Sequence, residues 1–354
     1  MQKIKAVIVD DSAFMRKSLS IILGSDPTID IVATGRDGME AISLVKQYKP
    51  DILTLDIEMP KMDGLTALKR IMSENPTSVI MVSSLTTEGA EATLKALELG
   101  AVDFIPKEMS YVSVNIINIK DDLIRKVKTI VREKALRNRL AKIQKFGGSD
   151  SSAPAKSTSL VLPRIGYKSI ALGISTGGPL SLQKVIPKLN GNIKIPIFIV
   201  QHMPPKFTQS LAERLNSMSS LKVKEAEHGE IVTGGTVYIA PGGFHMKVKK
   251  NLKGESYIDI SDQPADTLHK PSVDVMIKSV FDIYGKNTLG VIMTGMGRDG
   301  LEGIKDIKSA GGYCLAQNED TCVVYGMPKA IVDAELADVI APLEKIPDII
   351  NMAV

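Results

Sequence analysis

The sequence has no tryptophan, and aromatic residues make up only 4% of it. So few rings weaken any reading based on stacking nucleic-acid bases. There are only two cysteines, Cys314 and Cys322, too few for a disulfide framework, so a reducing cytoplasm is expected. No apolar stretch approaches the roughly 18 unbroken residues of a membrane span, so no membrane insertion is expected. The opening MQKIKAVIVDD meets acids after a short apolar run, which predicts no signal peptide. The net charge of +4 is small and gives no overall case for a nucleic-acid partner.

What is present is an ordinary globular balance over 354 residues, 44% hydrophobic and 24% charged. That length predicts two domains, each able to bury its own core. In the first, short β-branched runs alternate with helical spacing: strands over Ile4–Val9, Ile29–Gly35, Asp51–Leu55, Val79–Ser83 and Asp103–Ile105, with helices between them. Alternation of this kind predicts a parallel sheet with helices on both faces. Ile119–Lys145 is helix-forming and basic. Gly147–Ser159 has almost no large apolar residue and reads as a flexible linker. The resulting division is 1–122, a basic helix and linker over 123–163, and a second domain over 164–354. That second domain again reads as α/β and doubly wound. Lys222–Ile260, with its Gly-Gly and Lys-Gly breaks, is expected to form hairpins.

Asp10 and Asp11 stand where the first strand ends, and Asp56 where the third ends. Ligands of an open parallel sheet bind outside the carboxyl ends of its strands, so these acids should meet at one rim. Three close carboxylates repel and call for a hard divalent cation, Mg²⁺ above all. Each acid taken singly also suits a helix cap. In order along the chain stand Asp10-Asp11, Asp56-Ile-Glu-Met-Pro-Lys-Met-Asp-Gly64, Ser83-Ser84 and Lys107. This pattern resembles the response-regulator receiver domain, a flavodoxin-like fold. The resemblance implies Asp56 as phospho-acceptor, Asp10 and Asp11 as further Mg²⁺ ligands, and Ser83, Phe104 and Lys107 as switch residues. The family usually has proline after the lysine, whereas here Pro106 precedes it.

In the second domain Gly173-Ile-Ser-Thr-Gly177 fits G-x-S-x-G between a predicted strand and helix. A phosphate-binding loop is the rival reading, but no Walker lysine follows. Of the four histidines, His202 ends the next strand and is favoured as the base, with His245 as runner-up. His228 lies in a polar loop run and His269 in a polar, proline-flanked segment. Asp299, in Thr294-Gly-Met-Gly-Arg-Asp-Gly300 after a third strand, is the candidate orienting carboxylate. Its local alternative is a helix N-cap for Gly303–Ala310.

Further segments appear in order: Gln201-His-Met-Pro-Pro205, Ala240-Pro-Gly-Gly243, Pro271-Ser-Val-Asp274 and Ala316-Gln-Asn318. Together with the serine turn they resemble the chemotaxis protein-glutamate methylesterase family (CheB), across essentially the whole chain. The resemblance implies Ser175 as nucleophile, His202 as base and acid, and Asp299 as its orienter. It also implies a backbone oxyanion donor at Met296, with Thr176 in support, and no cofactor in this domain. It further implies methyl-accepting chemotaxis receptors as substrates, a histidine kinase as phosphodonor, activation by phosphorylation, and deamidation of glutamine. The family usually has alanine where Ile174 stands. The rival function is a receiver driving DNA binding, for which the basic stretch Lys120–Lys145 is the one supporting feature.

Overall fold

The computed structural model describes residues 3–107, 116–146 and 161–354. The chain divides into two compact units, Met1–Ser151 and Ser152–Val354. The linker expected over 147–159 lies outside the described residues.

The first unit runs β1 (Ile4–Val9), α1 (Ala13–Gly24), β2 (Ile29–Gly35), α2 (Gly38–Tyr48), β3 (Ile52–Asp56), α3 (Gly64–Glu74), β4 (Ser78–Ser83), α4 (Thr87–Glu98), β5 (Asp103–Pro106) and α5 (Ile116–Phe146). Its five strands form a parallel sheet in the order β2-β1-β3-β4-β5. Strands β3 and β4 are buried throughout, as continuous apolar runs covered on both faces must be. The side chains of Ser12, Asp37, Asp63 and Thr86 each accept an amide in the first turn of the helix they precede, which fixes the starts of α1 to α4.

Helix α5 passes through position 122 as one helix. Its Leu123, Val127 and Ile130 are buried, at helical spacing. Lys126 pairs with Asp103 at 3.1 Å and Lys128 with Asp26 at 2.9 Å. Part of the basic charge that suggested DNA binding is therefore spent on acids of the same unit.

The second unit runs β6 (Ser169–Ile174), α6 (Gly178–Val185), β7 (Ile197–Gln201), α7 (Phe207–Met218), β8 (Lys222–Glu225), β9 (Thr236–Ile239), β10 (His245–Lys250), β11 (Ser256–Ser261), α8 (Val273–Tyr284), β12 (Thr288–Ile292), α9 (Leu301–Ser309), β13 (Tyr313–Gln317), α10 (Met327–Asp333), β14 (Val339–Ala341) and α11 (Ile346–Ala353). Seven strands form one parallel sheet in the order β14-β13-β12-β6-β7-β9-β8. Among the described residues only β10 and β11 form a hairpin, which packs Met246, Val248 and Ile258 against Met276, Ile277 and Val280 of α8.

The hairpins expected over Lys222–Ile260 are thus confined to its second half. Strands β8 and β9 run parallel at the sheet edge instead. Strand β9 is buried throughout and Tyr238 stacks on Phe198 of β7, an apolar load that a solvent-facing hairpin would not bury. Strand β6 has β7 on one side and β12 on the other, so the crevice at their carboxyl ends is the place for a ligand.

Candidate active site

Ser175 follows β6 in a turn that glycine makes possible. Gly177 adopts φ 77°, the left-handed region, and a Cβ there would run into Val323. Gly173 is pressed against Val273, and Gly178 against the Gln201 side chain. Ile174 is fully buried and pairs with Gln201 in the sheet, so its bulk goes into the core rather than toward the serine.

The exits of the two flanking strands clamp this turn. The Ser175 amide donates to Thr294 O at 2.9 Å. The buried Thr294 hydroxyl lies 3.0 Å from Thr176 O and accepts from the amides of Val323 and Val324. Gln201 Nε2 donates to Ser175 O at 3.0 Å and to His202 O at 3.2 Å.

His202 leaves β7 with Nδ1 3.2 Å from Ser175 Oγ and Nε2 2.9 Å from Asp299 Oδ2. A carboxylate only accepts, so Nε2 carries the proton and Nδ1 is free to receive the serine hydroxyl. Asp299 comes from the β12 exit and accepts three further bonds. They are from Ser272 Oγ at 3.0 Å, the Val273 amide at 2.7 Å and the Asp274 amide at 2.9 Å. Burial works to raise the Asp299 carboxyl, but the His202 bond and these amides outweigh it and hold it well below the ordinary range.

The capping role expected of Asp299 therefore falls on α8, not on the helix that follows it. Gly300 is the N-cap of α9, and it is Asp274 that accepts the Gly303 amide at 2.8 Å. Burial, with Asp299 nearby and despite the Gly303 and Gly300 amides, pushes the Asp274 carboxyl up to about 6.

Thr176 is buried, and Gly295, the residue before Met296, is pressed against the serine: a Cβ on Gly295 would lie 2.8 Å from Ser175 Cβ. His245, the runner-up base, is fully buried and its ring nitrogens face Pro264 O, Thr267 Oγ1 and the Ser272 amide. His228 is exposed, with Nδ1 accepting the Ile260 amide. His269 instead stacks on His202, ring centroids 4.3 Å apart. Sequence reasoning assigned no role to His269, Ser272, Asp274, Gln201 or Thr294. The segments Gln201-His202 and Pro271–Asp274 were visible as motifs, but their polar side chains act across the fold.

In the first unit, oxygens of Asp10, Asp11 and Asp56 lie within 4.8 Å of one another at the sheet rim. Asp10 Oδ1 accepts the Ser12 amide, while Asp10 Oδ2 is buried with no hydrogen-bond partner. An orphaned, buried carboxylate oxygen beside two more acids fits a hard divalent cation. Burial pushes Asp56 up to about 7, against the pull of Lys107, whose Nζ donates to Asp56 Oδ2 at 2.8 Å. Lys107 thus reaches the pocket even though proline precedes it. Ser83, at the end of β4, is buried with Oγ donating to Gly89 O at 3.0 Å, and Phe104 is buried in β5. Gly64 is obligatory, since its Cβ would strike the Asp56 carbonyl.

The family model described as CheB methylesterase matches residues 170–350, and that described as response regulator receiver domain matches residues 6–114. A protein of Oleidesulfovibrio alaskensis, named protein-glutamate methylesterase/protein-glutamine glutaminase 1, is 50% identical over 373 residues, which is 99% of each chain. A Pyrococcus abyssi protein-glutamate methylesterase/protein-glutamine glutaminase is 46% identical, covering 100% of this chain and 94% of that one. The crystal structure of the Thermotoga maritima CheB methylesterase catalytic domain matches with a TM-score of 0.52 at 44% identity, covering 54% of this chain and 100% of that one. Among the described residues no helix is long and apolar enough to cross a membrane.

Proposed function

This chain belongs to the CheB methylesterase family and carries a response-regulator receiver domain, and we propose that it is a phosphorylation-activated serine hydrolase removing methyl esters from receptor glutamates. The observation that carries the reading is the contact chain from Ser175 through His202 to Asp299, built on the ends of three adjacent strands. Ser175 Oγ attacks the γ-carbonyl of a glutamyl methyl ester as His202 Nδ1 takes its proton. His202 returns that proton to the departing methanol, and water then releases glutamate by the same path in reverse. Asp299 holds the ring and stabilises the imidazolium. The backbone at Met296, with Thr176 in support, would donate to the oxyanion, a contribution of roughly 3 kcal/mol per donor. A glutamine side chain following the same path loses ammonia, in line with the glutaminase in the relatives' names.

In the receiver, Asp56 would accept the phosphoryl group from a histidine kinase, with Lys107 pairing with a phosphoryl oxygen and Ser83 and Phe104 relaying the change. Asp10, Asp11 and Asp56 would hold Mg²⁺, which when bound neutralises the incoming phosphoryl charge. The substrates in this reading are methyl-accepting chemotaxis receptors. The test is methanol release from methylated receptors, with and without a phosphodonor. No release under either condition would overturn the reading.

A further inference from the structure

Residues 262–272, between β11 and α8, contain no helix or strand, yet they are tied down along their length. Buried His245 holds them at three points. Its Nδ1 accepts the Ser272 amide at 3.1 Å, which leaves the proton on Nε2, 3.1 Å from Pro264 O and 3.1 Å from Thr267 Oγ1. Lys247 Nζ donates to Gln263 O at 2.9 Å, the Gly243 amide to Lys270 O at 3.1 Å, and Lys270 Nζ to Asp262 O at 2.8 Å. The segment so anchored lays the His269 ring on His202, with the planes 28° apart.

We infer that His269 is a positioning residue for the reaction, holding the His202 imidazole in the plane that joins Ser175 Oγ to Asp299, and that His245 anchors the segment carrying it. The inference rests on the roles proposed above for Ser175, His202 and Asp299. The bond to Asp299 pins one ring nitrogen, but a histidine χ2 is broad, so the ring can still swing about that point. The contact with Ser175 is a weak restraint at 3.2 Å and is given up when the serine reacts. A second ring against the imidazole face limits the swing. It also shields the Nε2–H···carboxylate bond from water, which strengthens it.

The test uses the full chain with His269→Ala and His269→Phe, methylated receptor as substrate, and proton NMR of the ring N–H bound to Asp299. The alanine variant should lose roughly tenfold in kcat at unchanged KM, the loss of about 1.4 kcal/mol of stacking. Its N–H resonance should broaden while its Tm stays near wild type, since His269 is only half-buried. Phenylalanine should restore both kcat and the sharp resonance. The inference is overturned by an alanine variant with wild-type kcat or an unchanged resonance, or by a phenylalanine variant no better than alanine. If the wild-type chain releases no methanol, the esterase reading fails by itself, and the resonance still decides whether His269 fixes the ring.

Discussion

Asp274 and Asp299 exchange helix caps. The Asp299 carboxylate takes the Val273 and Asp274 amides at the start of α8, while the Asp274 carboxylate takes the Gly303 amide of α9, the helix that begins just after Asp299. Each acid therefore fixes the element that carries the other. The candidate orienter is set by two helices rather than by its own loop.

The exchange puts two carboxylates side by side, and this has a cost that depends on pH. With its folded pKa raised to about 6, Asp274 keeps a proton that the unfolded chain loses near pH 4, so stability falls as pH rises from about 4 to 6. Asp274→Asn keeps an acceptor for Gly303 and removes the second charge. Its Tm should exceed wild type by about 2 °C or more at pH 7, with the gain shrinking toward pH 5. A variant less stable than wild type at pH 7 would show that the carboxylate is needed as a charge.

Ser175→Ala should lower methanol release to background, roughly a millionfold, with Tm unchanged. The side chain is half-buried and its hydroxyl bonds only to His202 among the contacts described, so little of the fold rests on it. Near wild-type turnover by a folded alanine variant would remove Ser175 from the mechanism.

His202→Ala and His245→Ala should separate activity from stability. The first should lose several orders of magnitude in kcat with a small change in Tm. The second leaves the buried Ser272 amide without its partner, at about 1–3 kcal/mol, and should lose far less in kcat. Burial holds the His245 pKa below its ordinary value, so the native state resists protonation that the unfolded chain accepts. Stability should therefore drop as pH falls below roughly 6.5, and His245→Ala should flatten that part of the profile. Reversed kinetic losses would make His245 the base.

In the receiver, Asp56→Asn should abolish labelling by a small acyl phosphate and any stimulation of methanol release by it. Chelating Mg²⁺ should do the same to the wild-type chain, because the Asp10, Asp11 and Asp56 oxygens crowd within 4.8 Å. Labelling at full stoichiometry in excess chelator would show that the acids need no cation.

The first domain was legible almost strand by strand because each apolar run is bounded by a residue with a turn or cap role, such as Ser12 before α1 and Asp63 before α3. Ser175 and Asp299 were legible as candidates because each follows a strand end among glycines, and His202 because it follows a strand end. Beyond Ala310 no strand or helix was legible, although Ala316-Gln-Asn318 stood out as a motif. Strand β14 has 3 residues, too short to show a period. His269 was passed over because it lies in a largely polar, proline-flanked segment and its partner, His202, follows β7, far away in the chain. The exchange of caps was invisible for a related reason: caps are sought next to the helix they serve, and here each comes from 25 to 29 residues away in the chain.

The strands that carry the serine and the aspartate, β6 and β12, are neighbours in the sheet but far apart in the chain. Ser175 leaves the ribosome about 120 residues ahead of Asp299, which at ordinary synthesis rates is a delay of roughly 6–25 seconds. For most of that interval β12, one of the two strands that flank β6, does not yet exist, and the serine turn lacks the Thr294 clamp. On the proposed mechanism, a chain cut short before Asp299 carries Ser175 and His202 without the carboxylate that orients the ring.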